Sequence, residues 1–181
     1  MISGACAEVI DLRVRRKIAD LELGGMPHLG SGITFDYQGH PAMATTNLMS
    51  PVVTVIDMDS WKKIADVPVN GTGFFLRSHD KTPYMWVDAM MHPTFRDTLQ
   101  IIDKTTLKVV GSVTPAKGRT SAHVEFTRDG RYALVSLSEM NGAIVVYDAA
   151  TWKEVKRLPM VKPVGKSNVW NKTTRDRGTS H

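Results

Sequence analysis

Apolar and polar positions alternate along most of this chain in short runs, and the runs repeat. Four stretches share one plan: EVIDLRVRRKIADLEL, TVIDMDSWKKIADVPV, QIIDKTTLKVVGSVTP and VVYDAATWKEVKRLPM. Each has an apolar strand ending in aspartate, a short polar turn, a lysine and a second alternating strand. The aspartates are Asp11, Asp57, Asp103 and Asp148, spaced 46, 46 and 45 residues apart. A second element runs between them, in ITFDYQGHPAMATT, GFFLRSHDKTPYMWVD and VEFTRDGRYALVSL. It is an apolar strand, a polar or glycine turn, and another strand. Alternation with period two predicts half-buried strands, and the turn residues between them predict hairpins.

Four short strands per unit of this length predict an all-β fold, a partial β-propeller of about 3.5 four-stranded blades. The repeated aspartate is expected to cap backbone amides in a tight turn. Trp61, Leu107 and Trp152 follow it at one position and are expected to pack between neighbouring sheets. SWKKIADV has some helical propensity, but its counterparts TTLKVVGSV and TWKEVKRL read better as strands. An arc of three to four units would leave sheet edges and apolar blade faces uncovered. Residues 1–181 are therefore expected to be part of one larger ring, completed by missing blades or by a second copy of the chain.

Composition narrows the possibilities. With 42% hydrophobic and 23% charged residues, the 181-residue chain has the make-up of a soluble domain with a real core. No run approaches the roughly 20 apolar residues that a membrane span needs, so no membrane partner is expected. The net charge of +5 suits an anionic partner. The basic residues are scattered with few aromatics between them, so no nucleic-acid partner is expected. Cys6 is the single cysteine. That excludes an internal disulfide, a CxxC redox pair, a zinc ribbon and a covalently held c-type heme. The start MISGACAEVIDLRV has neither the basic beginning nor the apolar stretch of a signal peptide.

The chain carries no nucleophile elbow, phosphate-binding glycine loop or zinc-protease motif. No two of its six histidines stand in HxH or HxxxH spacing, so no metal site is expected. His40 in QGHPA and His79 in RSHDK fall at turns, where solvated rings are expected; Glu125 and Asp129 are expected to be solvated too. His92 in MMHPTF lies in a connection and stays open. His28 in GGMPHLGSGITF and His123 in RTSAHVEF both fall near the first strand of a unit, and each is expected just ahead of it. Such lead-in segments border the central channel of a propeller, where ligands bind. Lys117 and Arg119 precede His123 and suit an acidic ligand. The alternative for RTSAHVEF is a strand with an exposed histidine.

At GGMPHLGSGITF, SAHVEFTRDGRYALVSLSEMNGAIVVYDA and PVGKSNVWNKTTRDRGTSH the chain resembles the heme d1-binding propeller of the cytochrome cd1 family. The likeness runs through essentially all 181 residues and matches the C-terminal half of that domain. It implies an eight-bladed propeller with heme d1, an acid-rich isobacteriochlorin, in its central pocket. The nitrite reductases of the family reduce nitrite to nitric oxide, with two distal histidines delivering protons; His28, in MPHLGSG, matches the second. The related dehydrogenase of heme d1 maturation oxidises a dihydro precursor. The AHVEF around His123 and the GTSH ending are closer to that branch, where this histidine and the tyrosine of a GKYNV motif face the substrate. Ser167 takes the tyrosine's place in GKSNV. The first distal histidine and the proximal iron ligand would lie upstream of Met1.

The resemblance thus implies His28 and His123 as catalytic groups, in an oxidoreductase of the periplasm with a cytochrome c as possible electron donor. Gly30, Lys117, Arg119 and Lys166 are expected to hold the cofactor. Glycine lets the backbone approach a wide macrocycle, and cations offset the hydration its carboxylates lose. Two other functions stay open: a carrier that holds the tetrapyrrole without turnover, and a cofactor-free propeller that binds proteins. The loss of the tyrosine favours the carrier for the isolated chain.

Overall fold

A computed structural model describes residues 6–165. Its strands are β1 (Cys6–Asp11), β2 (Arg16–Glu22), β3 (Ile33–Tyr37), β4 (His40–Thr46), β5 (Val52–Asp57), β6 (Lys63–Pro68) and β7 (Leu76–Ser78). They continue as β8 (Tyr84–Asp88), β9 (Leu99–Asp103), β10 (Lys108–Val113), β11 (Ser121–Phe126), β12 (Tyr132–Leu137), β13 (Gly142–Asp148) and β14 (Glu154–Met160). A single 3-10 turn, Leu29–Ser31, is the only helix among the described residues, and no helix is long and apolar enough to cross a membrane.

The strands form three antiparallel four-stranded sheets in sequence order, β3–β6, β7–β10 and β11–β14, preceded by the β1–β2 hairpin. These are the expected blades: three complete and one half. Each repeated aspartate ends a third strand and turns the chain into the fourth, or does so in the half blade. Asp57, Asp103 and Asp148 each accept the backbone N–H groups two and three residues on. The residue four after each aspartate then takes a left-handed conformation: Arg15 (φ 54°), Trp61 (55°), Leu107 (53°) and Trp152 (57°). In the three complete blades that kink turns the side chain off the hairpin and onto the neighbouring sheet. Leu107 joins the core between the first two complete blades. Trp61 packs on the half blade's cluster, and Trp152 sets its ring 5.0 Å from Tyr84 of the preceding blade.

The core lies between sheets rather than inside one. Met85, Val87 and Ile102 face the first complete blade, where they meet Ile33, Phe35, Val53 and Val55. Trp86, Leu99 and Ile101, from the same two strands, face the third blade and meet Val124, Phe126, Val135 and Val145. The inner strands are thus buried on both faces and lose their polar alternation. The outermost strand β14 is exposed along its whole length. At the two ends of the arc Ile10, Leu12 and Val14, and likewise Val155, Val161 and Val164, stand exposed.

Two corrections to the sequence reading arise here. His79 is not a solvated turn residue: it is 1% exposed, its Nδ1 2.6 Å from Asp80 and its ring beneath the β11–β12 turn at Gly130. His123 lies inside β11 rather than ahead of it.

The left-handed positions give a direct check. Arg15 is exposed, so Arg15→Gly removes strain without removing packing and is expected to leave stability within about 1 kcal/mol of wild type. Leu107→Gly removes a core side chain and is expected to cost more than about 2 kcal/mol. Equal losses in urea unfolding would contradict this account of the hairpins. Gly111 of β10 lies against the Trp152 indole, and a Cβ there would sit well inside contact distance. Gly111→Ala is expected to lower stability by about 1–3 kcal/mol; an unchanged melting curve would show that the two blades do not meet at Trp152.

Candidate functional site

The segments leading into β3, β7 and β11 come together at one end of the sheets, and the site is built on them. The first is the glycine-rich loop around His28. Asn47, 2% exposed, clamps it: its side-chain oxygen accepts the N–H of Met26, Met49 and Ser50, while its amide donates to Gly24. Gly24 and Gly25 turn the chain at φ 63° and 57°, and a Cβ on Gly25 would strike the Asn47 side chain. These glycines therefore shape the loop. Gly30 differs: it is exposed, in the 3-10 turn, and the space where its side chain would stand is open.

His28 is half-buried. Its Nδ1 lies 2.6 Å from the carbonyl oxygen of Phe74, which also accepts the Ser31 hydroxyl at 2.6 Å. A carbonyl only accepts, so Nδ1 carries a proton and Nε2 is the nitrogen left for other chemistry. The Phe74 ring stands 4.5 Å from that of His28, Phe75 stands 4.7 Å from Phe74, and His123 stands 4.5 Å from Phe75. Four rings thus form one row across three blades, with an imidazole at each end.

His123 owes its place to a bulge. Register breaks between Ala122 and Glu125, and His123 has φ 54°, a conformation uncommon outside glycine. Its N–H donates to Asp88 at 3.3 Å. Gly165, at the end of the described chain, lies against the imidazole; a Cβ there would be 3.4 Å from Nε2.

Behind the row sits a buried polar group that the sequence reading missed. Asp88 ends β8 and is 1% exposed. It accepts the N–H of Phe74 (3.1 Å), Phe75 (3.4 Å), Met90 (3.4 Å) and His123 (3.3 Å). Burial raises its carboxyl to about 6 despite those donors. The folded value lies above the unfolded one, so ionisation weakens folding by roughly 3 kcal/mol above pH 6, and the loss disappears below about pH 4. Arg77 of β7, 2% exposed, lies under the Phe75 ring at 5.8 Å. Burial lowers its pKa, opposed by the charges of Glu125 and Asp88.

The expected cations are placed less directly. Lys117 is exposed beside Asp97, whose carboxyl is held low first by the Gly118 N–H. Arg119 gives its guanidinium to the Asn141 carbonyl and side chain. Both stand on the loop into β11. Lys166 lies outside the described residues. His92 accepts the N–H of Thr94 and Phe95 and so serves its own turn.

Two features lie elsewhere. His40, Asp57 and Asp59 bring ligand atoms within 4.8 Å of one another at an exposed hairpin, where the spacing of histidines alone predicts no metal site. A cavity of about 380 Å³ opens beside Asp36, Asp80 and Lys104, in the hairpin turns at the opposite end of the blades, and burial lowers the Lys104 amine to about 8.

A row of apolar rings with an imidazole at each end suits a flat ligand with an apolar face and a polar edge. The imidazoles offer ring nitrogens through which a proton can pass to or from it.

The chain is 48% identical over 174 residues to the dihydro-heme d1 dehydrogenase of Pseudomonas aeruginosa, covering 96% of this chain and 35% of that protein. It is 31% identical over 113 residues to the NirF protein of Stutzerimonas stutzeri, covering 62% of this chain and 28% of that one. It thus spans about a third of the length of these relatives. Among solved structures it superposes on dihydro-heme d1 dehydrogenase NirN in complex with DHE, with TM-score 0.88 and 47% identity, covering 94% of this chain and 36% of that one. Hydrazine synthase of Kuenenia stuttgartiensis shares the fold at 16% identity, with TM-score 0.68 over 85% of this chain and 43% of that one. The cytochrome D1 heme domain model matches residues 4–172, and the chain belongs to that family.

Proposed function

We propose that this chain forms part of the wall of a heme d1-type tetrapyrrole pocket, within an oxidoreductase of the cytochrome cd1 kind. The observation that carries the reading is the His28–Phe74–Phe75–His123 row. It stands on the segments leading into β3 and β7 and on β11 itself, inside the stretch matched by the family.

The residues present fit such a group. Half-buried phenylalanine rings offer an apolar surface to a macrocycle, and the open side of Gly30 leaves room for its edge. Lys117 and Arg119 place positive charge at the rim, on the side from which carboxylates would reach solvent. Lys166 follows in sequence the Gly165 that packs on His123.

The identity to a dihydro-heme d1 dehydrogenase favours the maturation branch over nitrite reduction. In that branch the tetrapyrrole is the substrate and loses two electrons and two protons. His28, with Nδ1–H fixed on Phe74, presents Nε2 as an acceptor. His123 holds or takes a proton at the other end of the row. The 181 residues are then a segment of one eight-bladed propeller domain, closed by further blades or a second copy. A c-type cytochrome would exchange the electrons, and the periplasm is the compartment in which such a pair would meet.

Titration of the full-length protein with heme d1, followed by its absorption spectrum, tests this. Binding is expected for wild type, and Phe75→Ala is expected to weaken it by about 0.5–1.5 kcal/mol, the scale of a lost aromatic contact. His123→Ala is expected to hold affinity within about threefold and to remove most oxidation of the dihydro form, as loss of a proton-transfer group does. No spectral change with wild type would remove the reading; wild-type turnover in His123→Ala would remove the role given to that ring.

A further inference from the structure

We infer that Asp88 is the positioning residue of this site: one buried carboxylate ties together the backbone beneath three of its four rings and sets where His123 stands relative to Phe74 and Phe75. The inference rests on the proposed pocket. Oδ1 accepts the N–H of Phe74 at 3.1 Å and of Phe75 at 3.4 Å, where the chain enters the second complete blade. The same oxygen takes Met90 N–H at 3.4 Å. Oδ2 accepts the N–H of His123 at 3.3 Å, and His123 belongs to the third blade. The bond therefore crosses a blade boundary at the position where the two sheets present their rings to each other.

His123 needs such a hold. Its φ of 54° and the break in register between Ala122 and Glu125 would relax toward a regular strand if nothing kept them. Successive side chains of a regular strand point to opposite faces, so relaxation would turn the imidazole away from Phe75. A carboxylate can do what no other side chain of its size can, accepting on both oxygens. It is also an expensive group to bury, and here its donors lie on the segments that carry the rings.

Asp88→Asn separates positioning from simple cohesion. The amide keeps the volume but has one accepting oxygen, so its NH₂ must face either the Phe74–Phe75 donors or the His123 donor. In the full-length protein the variant is expected to melt within a few degrees of wild type. NMR is expected to show displaced His123 amide and imidazole signals, and oxidation of the dihydro form is expected to fall about tenfold while heme d1 affinity stays within about threefold of wild type. Unchanged His123 signals, or unchanged oxidation, would overturn the inference. If wild type binds no heme d1, the pocket reading falls, and the NMR comparison still decides whether Asp88 places His123. Should the asparagine variant not fold, the wild type answers instead. Couplings across the hydrogen bonds from the Asp88 carboxylate carbon to the amides of Phe74 and His123 are expected, and their absence overturns the inference.

Discussion

Met85 and Trp86 stand side by side in β8 and face different neighbours, one packed on the first complete blade and the other on the third. That division is the constraint on which the rest depends. Burying a large apolar side chain contributes on the order of 1.5–3 kcal/mol, and here nearly all such burial occurs between sheets. Each blade is therefore held at a fixed angle to the next. The lead-in loops inherit that angle, and His28, Phe74 and His123 meet although 46 and 49 residues separate them in the chain. The left-handed residue after each repeated aspartate serves the same packing, because it turns Trp61, Leu107 and Trp152 onto the adjoining blade.

Much of the fold was legible in the sequence because hairpins are local. An Asp that accepts the amides two and three residues on writes itself into the chain at a fixed period, and its recurrence marks the strand count and the blade boundaries. Residues such as Trp152 could be assigned to inter-sheet packing from their shared position alone. The inner strands were harder to read in detail. β8 carries YMWVD, apolar on both faces, because both faces meet a blade. His79 shows the limit: its RSHDK context reads as a wet turn, and the neighbouring blade's Gly130 turn buries it.

The site was legible in part for the same reason. His28 declares itself through the glycines and proline around it: Gly24 and Gly25 shape its loop against Asn47, and Gly30 leaves open space beside it. His123 could be singled out, but its place inside β11 depends on a bulge, and the bulge depends on Asp88 from another blade. Phe74 and Phe75 looked like ordinary strand residues in GFFLRS; the available signal was that they occupy the lead-in position that His28 occupies one unit earlier. Asp88 ends an apolar strand as the repeated aspartates do, and nothing in its sequence context sets it apart. Only the packing of β8 against β11 makes it a buried acceptor. Lys117 and Arg119 stand together on the loop into β11, Lys117 near Asp97 and Arg119 donating to Asn141.

The central claim is that His28 and His123 flank one tetrapyrrole on the Phe74–Phe75 ridge. A crystal structure of the full-length protein with heme d1 or its dihydro form bound tests it most directly. The account expects the macrocycle in van der Waals contact with Phe74 or Phe75, with Nε2 of His28 and of His123 both turned to the ligand or to a water on it. A macrocycle seated away from these rings, or a complex in which either imidazole points away from it, would contradict the account.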